Sequence, residues 1–154
     1  MGSPNQLIKT RLHAACHAYV QDRLDAIQAA IDAAQESANS ETKSSAGDKY
    51  ETGRAMAQNE RDRNLVQLAE ARKLLAELTR IGPARPHDTV HPGALVQTSL
   101  GTFYISISAG KLTIDGQDYF AVSAAAPVAA ALSGKAAGEQ VVFNGKPVRV
   151  EQVW

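Results

Sequence analysis

Apolar residues in the first half of the chain fall at steps of three and four. Leu12, Cys16, Val20, Leu24, Ile27, Ile31 and Ala34 form one such series. A helix turns about 100° per residue, so this spacing gathers them into a single stripe. Leu65, Leu68, Arg72, Leu75 and Leu78 repeat the period in a second run. Between the runs, residues 37–49 read SANSETKSSAGDK and carry no large apolar side chain. The pattern predicts two long helices joined by a polar turn and paired antiparallel. Counting back from the turn pairs Val20 with Arg72, Leu24 with Leu68 and Ile27 with Leu65. A first helix of about 35 residues is on the order of 50 Å long, which predicts a hairpin that projects as a rod.

The pattern changes at Ile81-Gly82-Pro83. Residues 5–80 contain two Gly and no Pro, whereas residues 82–154 contain eight Gly and five Pro. Two prolines close to a glycine in Gly82-Pro83-Ala84-Arg85-Pro86 cannot continue a helix, so this segment reads as a linker. Beyond it, apolar residues alternate or cluster between Gly-containing turns and predict strands over 94–98, 102–108, 111–114, 117–122, 141–143 and 148–153. Asp115-Gly116 and Asn144-Gly145 are tight-hairpin dipeptides. Pro127 to Leu132 reads as a short helix, with Pro127 in its first turn and Gly134 just past its end. The expected fold class is α+β. A long antiparallel helical hairpin occupies 5–81 with an acidic tip near 46–52, a linker 82–88, and an antiparallel β domain with a short helix 89–154.

Composition narrows the function classes. The 154 residues suffice for one domain or two small ones. Aromatics are only 5% against 44% hydrophobic residues, so aliphatics and alanine must build the core. No run reaches the roughly 18 apolar residues of a membrane span, and no basic segment followed by an apolar run marks a signal peptide. Cys16 is the lone cysteine, without an internal disulfide partner, which points to a reduced, cytoplasmic protein. Eleven basic and eleven acidic residues precede Ala84, and five of each follow. Neither half carries the positive field that holds nucleic acid through its phosphates, so direct DNA binding is not expected.

Few constellations carry chemistry. Gly47-Asp48-Lys49-Tyr50-Glu51 puts two carboxylates three residues apart where the turn re-enters a helix. One reading is a capping-box variant, with Asp48 capping and Glu51 reaching back. The other is a pair of oxygens that completes the shell of a Mg²⁺ held mainly by a partner, since two carboxylates alone bind a hard cation poorly. The two are compatible, because capping orients the pair. His13 and His17 have the four-residue spacing of a zinc pair but lack a completing acid, so a packed or solvated pair is expected. His87 and His91 flank a Pro-rich loop and receive no role. Gly134-Lys135 is followed by Ala136, and Ala129 replaces the first glycine, which excludes a phosphate loop. No nucleophile motif is present, and catalysis by this chain alone is not expected.

These residues together resemble the Gre-type transcript-cleavage factors of bacterial RNA polymerase. Three features carry the resemblance: the hairpin followed by a β-rich domain, Gly47-Asp48-x-x-Glu51 at the tip, and a C-terminal signature. That signature runs Pro127, a small helix ending Leu132-Ser133-Gly134-Lys135, then Gly138-Glu139-x-Val141. The resemblance implies a C-terminal domain with a fold like that of FKBP-type isomerases, docked at the rim of the polymerase secondary channel through the Pro127, Leu132, Gly134 and Lys135 region. It implies that the hairpin enters the channel, where Asp48 and Glu51 help hold a second Mg²⁺ and position water for hydrolysis of backtracked RNA. The chain would be an accessory factor, probing the nascent RNA 3′ end only inside the polymerase complex and entering the channel as a monomer. Thr52, Arg54 and Ala55 stand where the family has Asn, an acid and an aromatic.

Two other readings follow. The altered residues after Glu51 suit a Gre-like secondary-channel regulator or inhibitor that lacks cleavage activity. A peptidyl-prolyl isomerase or chaperone would need an aromatic-lined floor. Phe103-Tyr104 and Tyr119-Phe120 are adjacent pairs that alternate between sheet faces, so at most one ring of each is expected to face inward.

Overall fold

The computed structural model describes residues 4–42 and 47–154, with side chains described at 4–37, 39 and 52–154. Helix α1 spans Pro4–Thr42 and helix α2 spans Gly47–Arg80. Both helices run into the expected turn over 37–49, whose residues 43–46 lie outside the described ones. Residues 37–42 contain neither Gly nor Pro. Their Ser, Asn and Thr each cost only a few tenths of a kcal/mol in a helix, and an established helix propagates through them.

Two compact units make up the chain: Val20–Leu75, and the residues up to Tyr19 together with Ala76–Trp154. In the first, Ile27 of α1 packs with Leu68 and Ala71 of α2, flanked by Leu24 and Ile31. The α1 stripe is the expected one. Among the described residues of α2 the buried positions are Asn64, Leu68, Ala71 and the expected Leu78, while Leu65 is 43% exposed and Arg72 faces solvent. The expected pairings of Ile27 with Leu65 and Val20 with Arg72 are therefore displaced. Steps of four and three from Asn64 hold one face, and Leu65 and Arg72 each lie one residue, about 100°, off it. Ala71 has no exposure and little bulk, which lets the backbones approach.

The second unit is built on a six-stranded sheet. Its strands are β1 (Leu95–Thr98), β2 (Gly101–Ser106), β3 (Gly110–Ile114), β4 (Gln117–Ser123), β5 (Gln140–Phe143) and β6 (Lys146–Val153), with α3 (Pro127–Leu132) after β4. Their spatial order is β3-β4-β2-β1-β6-β5. Asp115 and Asn144 take positive φ of 51° and 53°, each followed by a glycine at 79° or 75°. These are the two-residue turns expected for the β3–β4 and β5–β6 hairpins. One pairing departs from an antiparallel sheet. β4 inserts between β3 and β2 and runs parallel to β2, with Phe103 beside Phe120 and Ile105 beside Val122. Hydrophobic alternation fixes which face a residue takes, not which strand lies beside it.

Both faces of β2 are covered. Phe103 and Ile105 join Val96, Val148, Val150 and Leu132 in the core under α3. Tyr104 and Ser106 point the other way and meet α1 at His13 and Cys16. Phe103 is thus 9% exposed and Tyr104 not at all, which corrects the expectation of one inward ring per pair. A strand buried on both faces needs no polar side.

Candidate functional site

Gly47 opens α2, so Asp48 and Glu51 occupy its second and fifth positions, a helical turn apart. Their side chains lie outside the described residues. With Asp48 already helical, the capping-box arrangement, which needs it before the first helical residue, is not the one its backbone adopts. The unpaired N–H groups and positive dipole end of a helix start favour carboxylates there in either case. Thr52 and Arg54, which follow the pair, are exposed.

The Pro127 to Lys135 region divides by role. Pro127 opens α3, where its missing N–H leaves no bond unmade, and it is exposed. Leu132 is buried in the core. Gly134 has φ +76°, a left-handed conformation that ends the helix at low cost only for glycine. Its N–H donates to the Val90 carbonyl at 2.9 Å, and the Val90 N–H donates to the Lys135 carbonyl at 2.9 Å. Leu132 and Gly134 therefore serve the fold, while Pro127 and the half-buried Lys135 keep surface available to a partner.

The base of α1 adds polar groups that sequence reasoning missed. Lys9 is fully buried, and its Nζ donates to the Arg85 carbonyl at 2.8 Å. Burial lowers the ammonium to about 8. Lys9 lies three residues before Leu12, on the same stripe, and that spacing was the available signal. Cys16 Sγ lies 3.7 Å from Ser106 Oγ, and burial pushes the thiol up, away from reactivity. His13 packs edge-on against Tyr104, while His17 is exposed. Among the described residues, no group of three His, Cys, Asp or Glu could hold a metal ion.

A cleft of about 670 Å³ opens where α2 ends. Arg80, Arg85 and His87 line it with Glu77, and Ser106 forms part of its wall. Ile81, Pro92 and Ala124 supply an apolar side. Gly93 fixes the neighbouring loop at φ +96°, where an added Cβ would meet Ile81 at 3.2 Å and His87 at 3.3 Å. His87 and His91 lie side by side, with ring centres 6.4 Å apart. Burial lowers His87, and Lys9, His91 and Arg85 lower it further against the weaker opposing pull of Asp88. Among the described residues no Phe, Tyr or Trp ring lines the cleft, which does not suit an isomerase floor.

Among the described residues, no helix is long and apolar enough to cross a membrane. No protein-family model matches the chain, and no curated protein aligns with it significantly. Among solved structures, the crystal structure of GreA factor homolog 1 (Gfh1) of Thermus thermophilus matches 90% of this chain and 94% of that chain, at 16% identity and a TM-score of 0.36. At that level the match carries no functional argument.

Proposed function

We propose that this chain is a Gre-like accessory factor of RNA polymerase, and that it stimulates Mg²⁺-dependent cleavage of backtracked RNA from the secondary channel. The carrying observation is the position of Asp48 and Glu51 in the first turns of α2, directly after the connection between two helices of 39 and 34 residues. Such an element can deliver a small acidic tip to a site that the rest of the protein does not reach.

Carboxylate oxygens are the donor type that Mg²⁺ requires, but two carboxylates fill only part of its shell. The polymerase must supply the remainder, so the chain assists and does not catalyse alone. When bound, the second Mg²⁺ supplies charge stabilisation and an acidified water for phosphodiester hydrolysis. Asp48 and Glu51 would hold and orient that ion from their side of the site, while the exposed Pro127 and the half-buried Lys135 contribute to docking. A second reading, a channel-binding regulator without cleavage activity, is favoured by Arg54. It places an exposed cation three residues after Glu51, where the resembled family has an acid.

Co-elution of the chain with its cognate polymerase, followed by RNA shortening in stalled backtracked complexes, tests the proposal. Binding with faster shortening supports the first reading. Binding without it leaves the regulator, and absence of binding removes both.

A further inference from the structure

We infer that the cleft at the end of α2 binds a small organic anion, a carboxylate or phosphate ester carried on an apolar body. This goes beyond the polymerase reading and does not depend on it. Every residue lining the cleft belongs to one compact unit, and its volume of about 670 Å³ lies in the range of small-ligand sites.

Charge selects the ligand's sign. Arg80 and Arg85 both line the cleft, and neither forms an ion pair among the described residues. Among the described residues, Glu77 is the single acid on the lining. Behind Arg85 lies the buried Lys9 ammonium, held on the Arg85 carbonyl. In a chain whose formal net charge is zero, this is a local surplus of positive charge. Burial depresses His87 most, and the neighbouring cations depress it further than Asp88 raises it. Guanidinium groups match carboxylate and phosphate oxygens in a planar fork.

The remaining lining sets the shape. Ser106 is 6% exposed, and its hydroxyl meets the Cys16 thiol at 3.7 Å, a weak partner that leaves oxygen lone pairs and geometry to serve a ligand. Beside the charged groups, Ile81, Pro92 and Ala124 give the lining aliphatic surface. An anion with an apolar body fills both halves, whereas inorganic phosphate would leave the apolar half wet.

The test is a fluorescence titration of the full chain with 8-anilinonaphthalene-1-sulfonate, a probe that joins an anion to flat apolar rings. Each variant is first matched to wild type by thermal melting. Saturable binding at one site is expected, weakened tenfold or more in Arg80→Gln/Arg85→Gln and tightened in Glu77→Gln. Ala124→Trp, which fills the apolar half, is expected to abolish it. Absence of saturable binding, or binding indifferent to the arginine pair, overturns the inference. So does a Glu77→Gln variant that binds more weakly, or an Ala124→Trp variant that folds and binds as wild type. If Ala124→Trp fails to fold, the arginine and Glu77 variants decide alone.

Discussion

Nδ1 of His13 lies 2.9 Å from the Tyr104 hydroxyl and joins α1 to the central strand β2. Burial raises Tyr104, so the phenol keeps its proton and shares one hydrogen bond with the imidazole, whose tautomer sets which of the two donates. Burial lowers His13, and the nearby His17 lowers it further. Seated on a doubly covered strand, the pair ties the first turns of α1 to the β sheet within one compact unit.

This pair predicts an acid-sensitive joint. The folded His13 value lies below the usual 6.5. As pH falls through 6.5, the unfolded chain takes up a proton before the folded one does, so stability is lost down to the folded value. His13→Gln should lose less stability than wild type between pH 7.5 and pH 5.5, measured as urea midpoints. Equal losses would remove His13 from the joint.

Lys9 predicts an effect at the alkaline end. Its folded value is about 8 against the usual 10.5. Between these values the unfolded lysine holds a proton that the folded one has released, so stability rises with pH across that window. The gain is roughly 3 kcal/mol at most. Lys9→Met should show a flatter profile from pH 8 to 10, and a slope equal to wild type would contradict the buried ammonium.

The displaced register of α2 is tested by two truncations. Leu68→Ala removes a buried side chain from the small hairpin cluster and should cost about 2 to 3 kcal/mol. Leu65→Ala, at an exposed position, should change stability by less than about 0.5 kcal/mol. Denaturant unfolding of both variants distinguishes this register from the one that pairs Ile27 with Leu65.

Much of this architecture was legible because its signals are local. The α1 stripe, both hairpin dipeptides, and Pro127 and Gly134 at the ends of α3 depend on residues a few positions apart. What escaped depends on distant neighbours. Nothing near Phe103 states that β4 lies parallel beside β2, and nothing near Tyr104 states that α1 covers it. Asn64 and Ala71 are buried in place of Leu65 and Arg72, and a spacing of large apolar residues does not single out a polar or a small one. The tip pair was legible as a spacing, and its proposed role rests on the partner it would meet. The cleft joins the end of α2, the segment after it and the β4–α3 connection, and no contiguous motif announces it.

Lys135 separates docking from folding. Its carbonyl is paired with Val90, but its side chain makes no hydrogen bond or ion pair among the described residues. Lys135→Ala should leave the melting temperature within about 2 °C and weaken polymerase binding severalfold. Gly134→Ala should instead destabilise by about 1 kcal/mol through its left-handed φ. A Lys135→Ala variant that binds the polymerase as wild type would take the residue out of the docking surface.

The central claim is tested most directly by RNA cleavage in a stalled, backtracked complex of the cognate polymerase. Wild type is compared with Asp48→Ala/Glu51→Ala at fixed Mg²⁺ and at matched polymerase occupancy. The expected result is faster shortening with wild type, lost in the double variant while binding is retained. Equal shortening by both proteins, or none by either when bound, would contradict a metal-assisting role for the tip.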